Sequence, residues 1–256
     1  MIKIKELIKS NYKYWIILIL VGIISGIPTA YYTLETTDTA IIEEALSQIG
    51  GSMAILVLIT TMQCVSYALI CGAVGKLVAE KLGLWKEIRF DIKSTIVSIL
   101  SGLGAGAVIM AADLLWFSNV SEAIKNSYQS KPTLVNLFAS ITYGGIVEEL
   151  MIRLFLMSLV ALILWKLFFK TEASVPGKAL VIANVLAALL FAAAHIPSTI
   201  ITIGITPVIL LRCFLLNGGA GLVFGRLYRK RGIQYAMIAH AFTHVAMKLI
   251  WFIIAL

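Results

Sequence analysis

Long apolar runs alternate with short polar stretches along the whole chain. Seven of these runs approach or exceed the roughly 20 residues that a helix needs to cross a bilayer. Their approximate limits are 14–32, 52–75, 95–117, 134–168, 180–197, 206–228 and 234–256. This pattern predicts an all-α membrane protein, with about seven transmembrane helices in a single membrane domain covering residues 1–256.

The fourth run, 134–168, is too long for one perpendicular crossing at about 1.5 Å per residue. A tilted helix, a helix that extends past the membrane, and two pieces broken at Gly144 and Gly145 are the alternatives. An eighth span or a re-entrant segment is a further alternative, within this run or within 196–207. The chain start, MIKIKELIKSNYKYW, precedes an apolar run without a cleavage site of the A-x-A type, so we expect a retained first span.

Composition supports the membrane assignment. Hydrophobic residues make up 60% of the chain and charged residues only 13%, which leaves too little polar surface for a soluble protein of this size. The net charge of +8 suits the basic loops of a membrane protein, and no basic stripe on a soluble element points to nucleic acid. Cys64, Cys71 and Cys213 lie within apolar runs, which predicts free thiols and no disulfide framework.

Positive charge alternates between successive loops. Residues 1–13 hold four Lys, 31–51 hold no Lys or Arg, 76–94 hold five basic residues, and 226–231 hold four. Because basic loops stay in the cytoplasm, this alternation predicts a cytoplasmic N-terminus and, with seven spans, a C-terminus outside. The high Ile and Lys content is typical of an AT-rich microbial genome, so we expect the protein in the plasma membrane of a microbe.

Several ionisable side chains fall within the predicted spans. Because a charged side chain inside the bilayer is costly in free energy, each is a candidate for a functional role. They are Asp113, Glu148, Glu149, Arg153, His195, Arg212, His240, His244 and Lys248. Asp113 and Lys248 lie near span ends, where snorkelling or interfacial water accounts for them. Arg212 is expected to pair with a carboxylate or to line a cavity.

Glu148, Glu149 and Arg153 form the first polar group. Residues four apart share a helix face, so Glu149 and Arg153 are predicted to form an ion pair. Glu148 points about 100° away from Glu149 and has no partner in its own helix. A carboxylate without a partner in an apolar setting binds a proton more readily than one in water, which suits a general base near neutral pH.

All three histidines of the chain also lie in predicted spans. His195 shares a helix face with Phe191 and comes just before Pro197, while His240 and His244 share one face of the last span. A carboxylate together with three imidazoles in a water-poor cavity can activate water and stabilise an oxyanion.

The three groups occur in separate spans as GGIVEELMIR, LLFAAAH and YAMIAHAFTH. This ordered series resembles the CAAX prenyl endopeptidases and bacteriocin-processing membrane peptidases, also known as CPBP or Abi proteins. The resemblance covers about 134–250, so residues 1–133 are expected to be spans without motifs and 134–256 the catalytic core. It implies a glutamate-dependent intramembrane endopeptidase, with a cytosol-facing active site in the C-terminal half of the bundle.

The resemblance also implies roles for individual residues. Glu148 matches the catalytic base, His195 the histidine that helps to hold the water, and His240 the first residue of the oxyanion motif. His244 stands where the family usually has Asn or Asp. The catalytic set is therefore Glu148, His195, His240 and His244, and the supporting set is Glu149, Arg153 and Phe191.

The predicted span boundaries conflict with this assignment at one point. They place His240 in the cytoplasmic half of its span but His195 toward the outer end of its own. A meeting of these two side chains with Glu148 therefore requires a different boundary or strongly tilted fourth and fifth spans.

The expected reaction is hydrolysis of a peptide bond near the cytoplasmic membrane face. We expect the substrate to be a peptide or a lipidated protein, the spans to contact membrane lipid, and the reaction to need no cofactor. Glu148 and His195 activate the water, while His240 and His244 donate hydrogen bonds to the oxyanion.

A zinc-dependent variant is an alternative, with Glu148, His195, His240 and His244 around the metal, although HExxH is absent. A catalytically inactive regulatory or immunity protein is another, which the unusual His244 favours. A proton-coupled transporter is a third, but no internal repeat supports it.

Overall fold

The computed structural model describes residues 12–255, which form nine helical runs and no β-strand. Seven runs are long and apolar enough to cross a membrane: α1 Tyr12–Thr36, α3 Met53–Lys81, α4 Ile92–Val120, α6 Leu134–Phe168, α7 Gly177–Ile203, α8 Pro207–Arg231 and α9 Ile233–Ile254. The shorter helices are α2 Thr39–Gln48 and α5 Glu122–Ser127. The predicted all-α fold with seven spans is confirmed, while the lysines of residues 1–11 lie outside the described residues.

The long fourth span, α6, is one continuous helical run of 35 residues. It is not broken at Gly144 and Gly145, because these glycines lie inside a π-helical segment, Ser140–Glu148. A second π-helical segment, Leu150–Met157, follows Glu149. Such wider turns are rare and occur frequently at functional sites. The described chain has no eighth span, either here or within 196–207.

The fifth span, α7, is longer than predicted and ends at Ile203. Its two helices, Gly177–Ala194 and Ile196–Ile203, meet at His195, so this residue lies inside the span. The predicted end at 197 was wrong, because the helical run continues past Pro197. Proline is tolerated in a first helical turn, where its missing N–H has no partner to lose, and Pro197 occupies that place in the second helix.

Glycines at the helix crossings allow the spans to pack closely. A Cβ at Gly102 would lie 2.2 Å from the carbonyl oxygen of Ala239, and one at Gly106 would lie 2.5 Å from that of Thr243. Helix α4 therefore lies directly against α9, as small residues permit in membrane proteins. This contact holds α9, the helix that carries two of the three histidines.

The outward faces of the spans are apolar. Large side chains such as Leu58, Leu100 and Val108 are 59%, 62% and 65% exposed, as expected for residues that face lipid. Cys64 and Cys213 are buried and Cys71 is half-buried, and all three are free thiols, as predicted.

Candidate active site

A cavity of about 390 Å³ lies inside the bundle. Glu148 from α6, His195 from α7, and His240 and His244 from α9 all line it, and so does Phe191. The structure therefore brings the four predicted catalytic side chains to one cavity from three helices. A larger hollow of about 560 Å³, beside Arg226, Lys230 and Arg231, contains none of them.

Glu149 lies behind the cavity wall and is fully buried. Its Oε1 accepts a hydrogen bond from His240 Nδ1 at 2.8 Å and lies 2.9 Å from Arg153 Nη1. The predicted Glu149–Arg153 ion pair is thus present, and His240 extends it to a second helix. One carboxylate oxygen therefore holds both the guanidinium and the imidazole in place.

Arg153 is also buried, with 1% of its side chain exposed. Its Nη2 donates to the carbonyl oxygen of Gly221 at 3.3 Å, and its guanidinium lies 4.4 Å from the centre of the Phe191 ring. A cation over an aromatic face is attracted by the ring quadrupole, which helps to offset the loss of water. The Phe191 ring thus stabilises the buried positive charge of Arg153.

Phe191 contacts both histidines that flank the cavity. The edge-on ring distances are 4.6 Å to His195 and 5.6 Å to His240. The spacing of Phe191 and His195 in the sequence therefore places an aromatic ring between the two imidazoles. This packing restricts the orientations that either ring can adopt.

Glu148 differs from Glu149 in having no hydrogen bond to a described residue. Its side chain is 20% exposed and faces the cavity, at the end of the first π-helical segment. Its Oε2 lies 4.0 Å from His240 Nε2, which is too far for a direct hydrogen bond. Glu148 is therefore the carboxylate available to water in the cavity.

The hydrogen bond from His240 determines what its other nitrogen can do. An ionised carboxylate only accepts, so the proton lies on His240 Nδ1 when it bonds to Glu149. A neutral His240 then presents the lone pair of Nε2 toward Glu148. It can donate from Nε2 to an oxyanion only when the ring carries both protons, a condition that sequence reasoning did not reveal.

His195 is fixed in a similar way. Its Nδ1 lies 2.8 Å from the carbonyl oxygen of Phe191, and a carbonyl can only accept. Nδ1 therefore carries the proton, and a neutral ring has a lone pair at Nε2. That lone pair can hold a water molecule by accepting one of its hydrogens.

His244 stacks on His240, with ring centres 4.9 Å apart and planes inclined by 23°. No described residue forms a hydrogen bond with it, so its N–H remains available to the cavity. A Cβ at Gly144 would lie 2.6 Å from His244 Nε2, which explains the glycine at that position of α6. The sequence interpretation treated Gly144 only as a place where the helix could break.

Residues 130–246 match the family model of type II CAAX prenyl endopeptidases described as Rce1-like. This segment is Rce1-like. The resemblance predicted from the three motifs is therefore confirmed, over a little under half of the chain. The segment contains Glu148, His195, His240 and His244. No curated protein and no solved structure matches the chain.

Asp113 and Arg212 form a second buried charge cluster, and only Arg212 lies in the Rce1-like segment. Asp113 is fully buried, accepts from Arg212 Nε at 2.6 Å, and also accepts from Arg212 Nη2 and from the Tyr128 hydroxyl. The snorkelling interpretation of Asp113 was therefore wrong. Arg212 fulfils both of its predicted alternatives, since it pairs with a carboxylate and lines the cavity.

Further polar residues line the cavity and were not predicted to do so. Lys248 is one of them, with its Nζ 4.6 Å from the Trp251 ring and no ion pair to a described carboxylate. Asn217 and Thr243 also contribute to the lining. The signal in the sequence for Asn217 and Thr243 is a neutral polar residue inside an apolar span.

Across residues 12–255, no group of three or more His, Cys, Asp or Glu side chains is placed to hold a metal ion. His240 and His195 each use one ring nitrogen for a protein hydrogen bond, and the ring of His244 is stacked on that of His240. Zinc dependence remains a separate prediction, which metal analysis can decide.

Proposed function

We propose that the protein is an intramembrane endopeptidase in which Glu148 and His195 activate water for peptide hydrolysis. The observation that carries the proposal is the common cavity lined by Glu148 and the three histidines, within a segment that matches a CAAX protease family. The expected substrate is a peptide or a lipidated protein that reaches this cavity within the membrane.

The water molecule is held between Glu148 and His195. Glu148 takes one of its protons as the oxygen attacks the peptide carbonyl carbon, and the carbonyl oxygen becomes an oxyanion. The carboxylic acid then gives the proton to the leaving nitrogen as the C–N bond breaks. A group that first accepts and then donates a proton is typical of general acid–base catalysis. None of the three cysteines lines the cavity, so a thiol nucleophile is not part of this scheme.

The oxyanion is stabilised by N–H groups on α9. His244 has no competing hydrogen bond in the described chain and supplies one donor. His240 supplies another from Nε2 when its ring is doubly protonated, with Glu149 holding the opposite nitrogen. Donors that are already oriented act without reorganisation at the moment of reaction. Glu149, Arg153 and Phe191 serve as positioning residues.

The direct test is a comparison of membrane peptides by mass spectrometry. Cells producing the wild type are compared with cells producing Glu148→Gln, which keeps the side-chain shape but cannot accept a proton. Glu122→Gln is the matched control, because Glu122 is an exposed glutamate outside the cavity. Fragments that appear with wild type and Glu122→Gln but not with Glu148→Gln support the peptidase. If all three samples contain the same peptides, the inactive regulatory protein takes its place.

A further inference from the structure

The two ends of the helix bundle differ in charge. We name them by the connections they hold: the basic end has 82–91, 169–176 and residue 232, and the acidic end has 37–52, 121–133 and 204–206. Around the basic end, residues 76–94, 166–178 and 226–231 hold five, three and four Lys or Arg. The connections of the acidic end hold only Lys125 and Lys131. By the positive-inside rule, the basic end faces the cytoplasm.

The cavity reaches the surface near the acidic end. Thr33 and Ser198 are exposed and belong to its lining, three and five residues before the ends of α1 and α7. Arg212 and Lys248 line it within six residues of the same end. At about 1.5 Å per residue, these side chains lie within roughly 9 Å of the helix ends.

In the opposite direction the cavity is closed. Its deepest lining residues, Phe191, Phe224 and His240, are 3%, 0% and 4% exposed. Behind them, the connection 82–91 is fastened across the start of α9. The Tyr235 hydroxyl lies 2.8 Å from Asp91 Oδ2, and Gln234 donates to the carbonyl oxygen of Arg89 at 3.1 Å.

The closure at the basic end is anchored by an ionised carboxylate. Hydrogen bonds from the side chain and backbone of Ser94 and from Tyr235 lower the pKa of Asp91 to about 2. Asp91 therefore stays charged at every physiological pH and keeps accepting these bonds. The buried lining residues and this fastened connection thus both lie on the basic-end side of the cavity.

We infer that the cavity takes its substrate from the non-cytoplasmic side of the membrane. This inference rests on the proposed function for the cleavage itself, and it replaces the cytoplasmic face that the family resemblance implied. The substrates are then peptide segments exposed at the outer face: exported peptides at the membrane surface, or the outer ends of membrane-spanning segments. A cytosolic protein tail does not reach Glu148 by this route.

Single cysteines can test the direction of opening without any substrate. In a background where Cys64, Cys71 and Cys213 are replaced by Ser, one variant carries Ser198→Cys at the cavity mouth. Gln129→Cys marks the acidic end and Ser174→Cys the basic end, since both positions are exposed. Intact cells are treated with a membrane-impermeant sulfonated maleimide, before or after permeabilisation.

We expect Ser198→Cys and Gln129→Cys to react in intact cells and Ser174→Cys to react only after permeabilisation. Labelling of Ser174→Cys alone in intact cells overturns the inference, because the basic end would then face outward. Failure of Ser198→Cys to react where Gln129→Cys does also overturns it, because the mouth would then be closed on that side. These outcomes do not depend on catalysis, so they stand whether or not the chain cleaves peptides.

A second measurement links the opening to turnover. The Ser198→Cys protein, with and without maleimide applied from outside, is compared for the peptides that depend on Glu148. We expect the external label to reduce their formation at least tenfold, and the label on Gln129→Cys to leave it unchanged. If the label on Ser198→Cys leaves their formation intact, substrates enter elsewhere and the inference fails. If no peptide depends on Glu148, the proposed function fails instead.

Discussion

The two buried charge clusters of the molecule have different partners and different uses. The Glu149–Arg153–His240 cluster closes the deep end of the cavity, and its hydrogen bond to His240 orients a ring that faces Glu148. The Asp113–Arg212–Tyr128 cluster lies near the acidic end, where it joins α4 to α8 and to the connection 121–133. A charge inside a membrane therefore does not by itself identify a catalytic group. What separates the two clusters is whether a member holds a side chain that can touch the reacting atoms.

The largest effect is expected at Glu148. Replacement by Gln removes the base and should lower turnover by about 10²- to 10⁴-fold, the usual contribution of a positioned general base. Because Glu148 has no bond to a described residue, the folded protein should be as stable as wild type. The measurements are the cleavage rate for a peptide found by mass spectrometry and the melting temperature in detergent. Cleavage at the wild-type rate would contradict the assigned role of Glu148.

Removing one partner from either cluster should instead lower stability. Glu149→Gln leaves Arg153 buried without a counter-charge, and loss of one partner of a buried pair typically costs about 3–5 kcal/mol. Asp113→Asn should cost somewhat less, because Arg212 keeps 19% of its side chain exposed. Unfolding can be followed by the reaction of a fluorescent thiol dye with the buried Cys64 and Cys213.

A double replacement separates the two clusters more sharply. Asp113→Leu with Arg212→Met removes both charges, and an apolar pair of similar volume can be as stable as a buried ion pair. We expect this variant to regain stability and keep catalysis above a tenth of wild type. Glu149→Leu with Arg153→Met should regain stability but not turnover, because His240 loses its acceptor. Equal turnover in both double variants would show that the Glu149–Arg153–His240 cluster has no positioning role.

The same contrast explains what the sequence could predict. Glu149 and Arg153 lie four residues apart on one helix, so their ion pair follows from helix geometry alone. Asp113 and Arg212 are separated by 99 residues, and neither carries a local signal of the other. The convergence of Glu148, His195 and His240 was predicted from an ordered set of motifs, although the predicted boundary at 197 argued against it.

Other features depend on packing between helices and have no local signature. The need for glycine at 144 arises from the imidazole of His244 on a different helix. The direction of the cavity depends on how the connection 82–91 lies across α9, while charge alternation predicts only which end is cytoplasmic. The extra helix α2 lies in a stretch that was predicted to be a loop. Asp38, whose Oδ1 accepts from the Ala40 N–H at 2.9 Å, caps its first turn, and an Asp at such a place was the available signal in the sequence.

An intermediate effect is expected at His244, which lies on the cavity side of the Glu149–Arg153–His240 cluster. His244→Ala removes an N–H donor and should lower kcat by roughly 10²- to 10³-fold, the usual loss for one oxyanion-hole donor. His244→Asn restores an amide N–H and should keep much of the activity. Gly144→Ala should resemble His244→Ala, because the new Cβ displaces the ring. The check is kcat for the three variants side by side, and equally low values for Asn and Ala would contradict the donor role.

The smallest effect is expected from removal of metal ions. In the described chain, His195 and His240 each use one ring nitrogen for a hydrogen bond to a protein acceptor, and no group of three or more His, Cys, Asp or Glu side chains is placed to hold a metal ion. Prolonged chelation should therefore leave the cleavage rate within about twofold of the untreated enzyme, and purified protein should contain well under one zinc per chain. A zinc ligand at position 244 would behave differently from an oxyanion donor, because an Asn amide binds zinc far less well than imidazole does. Wild type, His244→Asn and His244→Ala are therefore analysed together for bound metal and rate. The metallopeptidase would replace the carboxylate-based mechanism if the wild type contains one zinc per chain and both variants lose zinc together with activity. Returning zinc to the chelated wild type would then also restore its activity.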